Sequence, residues 1–115
     1  MKDHTFAVCA YKESPYLEEC VESLKNQEQQ SNILMVTSTP NEYIEKISRK
    51  YGIELKINTG QGGIVQDWNF AYRQCKTPYI TIAHQDDIYF KDYATRAIKM
   101  LEQSKKPLDI FLRLL

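Results

Sequence analysis

Residues 84 to 87 read His-Gln-Asp-Asp and follow directly on the apolar run "YITIA". Two neighbouring ionised aspartates repel each other, and at the end of a buried strand little water is present to screen them. Something must compensate. One compensator is the N-terminus of a following helix, which attracts carboxylates. Asp92 lies nearer that helix than Asp86 or Asp87 and is the better cap. The other compensator is a divalent cation, and hard oxygen donors suit Mg²⁺ or Mn²⁺. Alternation along an extended chain turns His84 and Asp86 one way and Asp87 the other, unless the chain bends there. His84 fits two roles, as part of such a site or as a strand-end histidine held by a structural hydrogen bond.

A site of this kind needs rigid elements behind it, and the rest of the chain supplies their pattern. "TFAVCAY" (5–11), "NILMVTS" (32–38), "IELKIN" (53–58) and "PYITIAH" (78–84) read as strands. Helices are expected over 14–27, 41–52, 64–75 and 91–106. "LDIFLRLL" (108–115) is long enough to open a fifth strand. Ser14 is the expected N-cap of the first helix with Pro15 at its first position. Leu17, Cys20, Val21 and Leu24 form that helix's apolar stripe. Asn41 and Gly52 bracket the second helix. Val65, Trp68 and Tyr72 share one side of the third and read as core positions. "TGQGG" is a loop whose glycine spacing and position do not fit a dinucleotide fingerprint. "ESLKNQEQQSN" is a polar helix end and loop.

Strands alternating with helices imply βαβ units and a mostly parallel sheet covered on both faces. Right-handed crossovers then give a three-layer αβα, Rossmann-like fold with strand order 3-2-1-4. Such sheets bind ligands at the carboxyl ends of their strands, near the switch in strand order. His84 to Asp87 fall at that edge.

The chain's 115 residues suit one domain, 1–115. Its 15 basic and 15 acidic residues cancel, which removes any general pull toward nucleic acid. No apolar run reaches the length of a transmembrane segment, and "MKDHTFAVCAY" lacks a signal-peptide core. Cys9, Cys20 and Cys75 are odd in number and lack C-x-x-C spacing, as expected of reduced thiols in a cytoplasmic protein. A signalling receiver domain also pairs this size with an acidic metal site. It needs aspartates after strands one and three, where this chain has "AYKE" and "INTG".

The stretches "FAVCAYKESPYLEECVESLKNQ" and "GGIVQDWNFAYRQCKTPYITIAHQDDIYFKDY" resemble the family 2 inverting glycosyltransferases of GT-A fold. The first is similar to that family's opening strand, loop and helix. The second is similar to the stretch that runs from an "NWN.A" segment to an Asp-x-Asp-type motif. The resemblance covers nearly the whole chain. It implies a nucleotide-diphospho-sugar donor, a saccharide or lipid-linked acceptor and a divalent cation, Mg²⁺ or Mn²⁺, bridging the diphosphate.

Residue by residue, it implies that Ala10, Tyr11 and Glu13 form a loop against the base and ribose. Asp67 and Asn69 border the nucleotide. His84 and Gln85 lie at the donor, with His84 replacing the motif's first acid. Asp86 matches the last acid and is the metal ligand, with Asp87 an additional acid. Ser38 stands where many relatives carry a uracil-reading aspartate, and "VTSTPN" replaces the usual "DDGSTD". Trp68 stands where many carry arginine. The family's general base lies beyond the metal motif, in a half this sequence does not contain, so no catalytic base is assigned here. The expectation is a truncated donor-binding domain that does not turn over by itself, with a non-catalytic nucleotide-binding module as the alternative. Its open sheet edge and apolar "IFLRLL" point to a homo-oligomer. A cytoplasmic place, or one peripheral to the inner face of the membrane, completes the reading.

Overall fold

In the computed structural model, which describes residues 3–103, four strands alternate with four helices. The strands are β1 (His4–Ala10), β2 (Asn32–Thr37), β3 (Glu54–Ile57) and β4 (Tyr79–His84). The helices are α1 (Leu17–Lys25), α2 (Glu42–Tyr51), α3 (Ile64–Gln74) and α4 (Tyr93–Gln103). The sheet order is β3-β2-β1-β4, and all three pairings are parallel, as the crossover rule requires. Residues 108–115, the expected fifth strand, lie outside the described residues.

β1, β2 and β4 are largely buried on both faces, whereas the edge strand β3 is mostly exposed. Phe6, Val8, Met35 and Ala83 meet α1, α2 and α4 through Leu17, Cys20, Leu24, Ile44 and Ala94. Ala7, Leu34, Val36 and Ile82 meet α3 through Ala71, with Trp68 and Phe70 packed alongside. Three layers result. The register sets Cys9 opposite both Val36 and His84, which brings the carboxyl ends of β1, β2 and β4 level with one another.

Local chemistry explains the helix ends. Asn41 Oδ1 accepts from the Ile44 N–H at 2.8 Å and starts α2. Gly52, at φ 63°, closes it, donating its N–H to the carbonyls of Arg49 and Ser48. The stripe Leu17, Cys20, Val21 and Leu24 of α1 is fully buried.

Two expectations need correction. Ser14 does not cap α1. That helix begins at Leu17 behind Tyr16, whose side chain makes no cap bond. Ser14 instead nucleates the turn before it, accepting from the Tyr16 N–H through Oγ and from the Leu17 N–H through its carbonyl. Its hydroxyl proton is thereby free for another partner. On α3, Val65 and Tyr72 are 60% and 48% exposed, whereas Asp67 and Ala71 are buried. The small Ala71 lets the helix sit close on the sheet, and that rotates Asp67 inward. Of the expected side only Trp68 packs against the core.

Candidate functional site

A cleft of about 850 Å³ opens where β1, β2 and β4 end. It has the size of a small-molecule site and lies at the switch in strand order. Its lining includes Ala10, Tyr11, Ser38, Asp67, His84, Gln85 and Asp86. Seven of the residues singled out from sequence are therefore brought together. Glu13, Asn69 and Asp87 are exposed and lie outside that lining. Sequence reasoning missed Cys9, Thr39, Gly62, Gly63 and Ile64, and read Trp68 as core; all six line the cleft. Trp68 is half-buried and meets the His84 ring edge-on at 5.5 Å. The "GQGG" glycines were the available signal for the loop side, since only they let backbone form a wall there.

The loops that form the cleft are tied together. Gln85 Oε1 accepts from the Tyr11 N–H at 2.9 Å, and its Nε2 donates to the Tyr11 carbonyl at 3.2 Å. The Gln85 amide is thus a strut between the loops after β1 and β4. Lys12 adopts a left-handed backbone at φ 54°, which costs a non-glycine residue of order 1 kcal/mol or more. Thr39 Oγ1 accepts its N–H at 2.7 Å and Asn41 Nδ2 donates to its carbonyl at 2.9 Å, so the loop after β2 holds that conformation.

The acidic pair is divided between two environments. Asp86 faces the cleft, and Ser14 Oγ donates to its Oδ1 at 2.9 Å. Asp87 sits in a turn closed by its own N–H to the His84 carbonyl at 3.1 Å. That turn is fastened from beneath. Tyr89 OH accepts from the His84 N–H, Ser23 Oγ accepts from the Tyr89 N–H, and the Cys20 thiol donates to the His84 carbonyl. Gln27, only 3% exposed, donates to the Phe90 carbonyl at 2.6 Å and accepts from the Ala94 N–H at 3.0 Å. Asp92 immediately precedes α4, and its carbonyl accepts from the Arg96 N–H.

Asp67 is 9% exposed at the base of the cleft. Ser38 Oγ donates to its Oδ2 at 3.0 Å and Asn58 Nδ2 to its Oδ1 at 3.3 Å. Burial pushes the Cys9 thiol up to about 12, with Asp67 and Cys75 adding to the shift, so Cys9 is no thiolate nucleophile. Burial likewise raises Cys20 to about 12, helped by Asp87 and Asp86.

No three His, Cys, Asp or Glu side chains converge among the described residues. Asp86 is one exposed carboxylate with acceptor capacity beyond its Ser14 bond. That donor set fits a cation whose remaining ligands come from bound phosphate and water, as is common for Mg²⁺.

The family model for Glycosyl transferase family 2 matches residues 5–111. The chain belongs to that family. Among curated proteins no sequence matches it. Solved structures with the same fold include TarS of S. aureus, at 19% identity and TM-score 0.76, and its 1-349 form, at 22% and 0.74. A third is the mannosyltransferase PcManGT from Pyrobaculum calidifontis, solved with GDP-Man and Mn2+, at 20% identity and TM-score 0.75. These alignments take in 90%, 90% and 95% of this chain but only 20%, 33% and 37% of the other three. The expected Rossmann-like α/β fold of GT-A type, with order 3-2-1-4, is therefore the family 2 fold found here. No helix among the described residues is long and apolar enough to cross a membrane.

Proposed function

We propose that this family 2 chain carries the donor site of a glycosyltransferase. The reaction would move a sugar from a nucleotide-diphospho-sugar to a saccharide or lipid-linked acceptor with Mg²⁺ or Mn²⁺ present. The observation that carries the reading is the cleft at the strand switch point, with Asp86 exposed in it and braced by Ser14. The mannosyltransferase of like fold, solved with GDP-Man and Mn2+, supports the same ligand class.

In this reading Asp86 binds the cation, and Asp87 steadies the turn or contributes through water. Tyr11, Ala10 and Ser38 flank the nucleoside, with Glu13 and Asn69 at its margin. Gln85 orients the Tyr11 backbone, and His84, backed by Trp68, lies beside the phosphates. A bound divalent cation supplies Lewis-acid stabilisation of the departing diphosphate. The acceptor's general base is not assigned to any residue of this chain. A cytoplasmic location, peripheral at most to the inner membrane face, belongs to the same reading, and three free cysteines are in keeping with it.

Calorimetric titration of UDP and GDP, with and without Mn²⁺, tests the proposal. Metal should tighten nucleotide and nucleotide should tighten metal by the same factor. Asp86→Asn should abolish that coupling while Asp92→Asn leaves it intact. Nucleotide binding that is absent, or indifferent to Mn²⁺ and to Asp86, overturns the reading.

A further inference from the structure

Asp67 is a nine-tenths buried carboxylate that lines the cleft, and none of the ion pairs among the described residues includes it. Its two hydrogen bonds come from neutral groups, one to each oxygen. A carboxylate oxygen accepts about two such bonds. The side chain is therefore held rigid by Ser38 and Asn58 with one acceptor position per oxygen still to be filled. Such a group is complementary to two parallel donors on one ligand edge, the arrangement that makes bidentate pairing with carboxylates strong.

Its position within the cleft narrows which ligand edge arrives there. Ser38 follows β2 and Asn58 follows β3, whereas Asp86 follows β4. In the order β3-β2-β1-β4 those ends lie two to three strand spacings apart, roughly 10–14 Å. With a diphosphate at Asp86, that distance leads across the ribose to the nucleobase. Tyr11, in the lining, offers an aromatic face to any base and so does not select among them. Selection falls to Asp67. Of the common bases only guanine presents two adjacent donors, N1–H and N2–H. Uracil offers a single N–H between two carbonyls and so can fill only one of those two positions, and adenine and cytosine set a donor beside an acceptor.

We infer that Asp67, oriented by Ser38 and Asn58, reads the base and selects a guanine nucleotide donor. The inference rests on the donor-site reading above and extends it to nucleotide class.

Calorimetry of the whole chain with GDP, IDP and UDP, each with Mn²⁺, tests it. IDP keeps N1–H but lacks the 2-amino group. GDP should bind the parent roughly 10- to 100-fold more tightly than IDP or UDP, the range for hydrogen bonds to a charged group. Asp67→Asn, checked for folding by near-ultraviolet circular dichroism, replaces an acceptor with a donor and should weaken GDP by a similar factor. It should leave UDP nearly unchanged and collapse the GDP-to-IDP ratio. That ratio in the parent needs no variant, so the inference stays testable if Asp67→Asn does not fold. GDP and IDP binding equally, or UDP binding best, overturns the base assignment while the donor-site reading stands. If no nucleoside diphosphate binds, both fall.

Discussion

Replacing Gln27 with alanine removes the side chain that fastens the acidic turn to the body of the protein. Gln27 lies just beyond α1 and is almost completely buried, with Nε2 on the Phe90 and Ser23 carbonyls and Oε1 on the Ala94 N–H. Ala94 is in the first turn of α4, where a backbone N–H has no partner within its own helix. Gln27 thus caps α4 from a distant part of the chain. Truncation strands a buried N–H, which costs about 1–3 kcal/mol, and removes one of two donors from the Phe90 carbonyl, which keeps the Tyr93 N–H, at a net loss of about 0.5–1.5 kcal/mol. The sum, about 2–4 kcal/mol, is a large share of the roughly 5–15 kcal/mol that stabilises a typical domain. Urea unfolding should show the midpoint falling with the slope unchanged. Gln27→Glu keeps an acceptor for Ala94 but sets a buried carboxylate oxygen against the Phe90 and Ser23 carbonyls, so it should not restore the loss. A loss below about 0.5 kcal/mol for Gln27→Ala, within the range of ordinary surface changes, would refute the reasoning.

Other outcomes follow from the same structure. His4 is buried, with Ser31 Oγ at Nδ1 and Thr81 Oγ1 at Nε2, and burial lowers its pKa from 6.5 to about 4. Because the unfolded state then binds the extra proton first, stability is full above pH 6.5 and falls by about 3 kcal/mol as pH drops to 4. Urea midpoints of the parent and His4→Gln across that window should converge as pH falls; parallel curves would exclude His4 as the cause. Gly63→Ala forces φ 134° on an L residue and sets its Cβ against the movable end of Gln66, whereas Gly52→Ala at φ 63° meets nothing within 4 Å. Thermal melts should show a loss of about 1–2 kcal/mol for Gly52→Ala and a larger one for Gly63→Ala.

Periodicity alone was enough for the architecture. Runs such as "ILMV", alternating with amphipathic helices, leave few windings once right-handed crossovers are imposed. Asn41 and Gly52 bracketed α2 because caps are local chemistry, settled within four residues. The place of Asp86 was legible for a related reason, since a strand's carboxyl end follows from chain direction. Tertiary packing decided the rest. Which side of α3 faces the sheet depends on how closely Ala71 can approach, so an exposed Val65 and a buried Asp67 were not legible from an apolar stripe. Ser14 looked like a helix cap, but the structure gives its proton to Asp86, 72 residues away. Gln27 looked like part of a polar loop until α4 arrived to use it. Hydrogen bonds between distant segments leave no spacing in the sequence, because the groups they join become neighbours only after the sheet has closed between them.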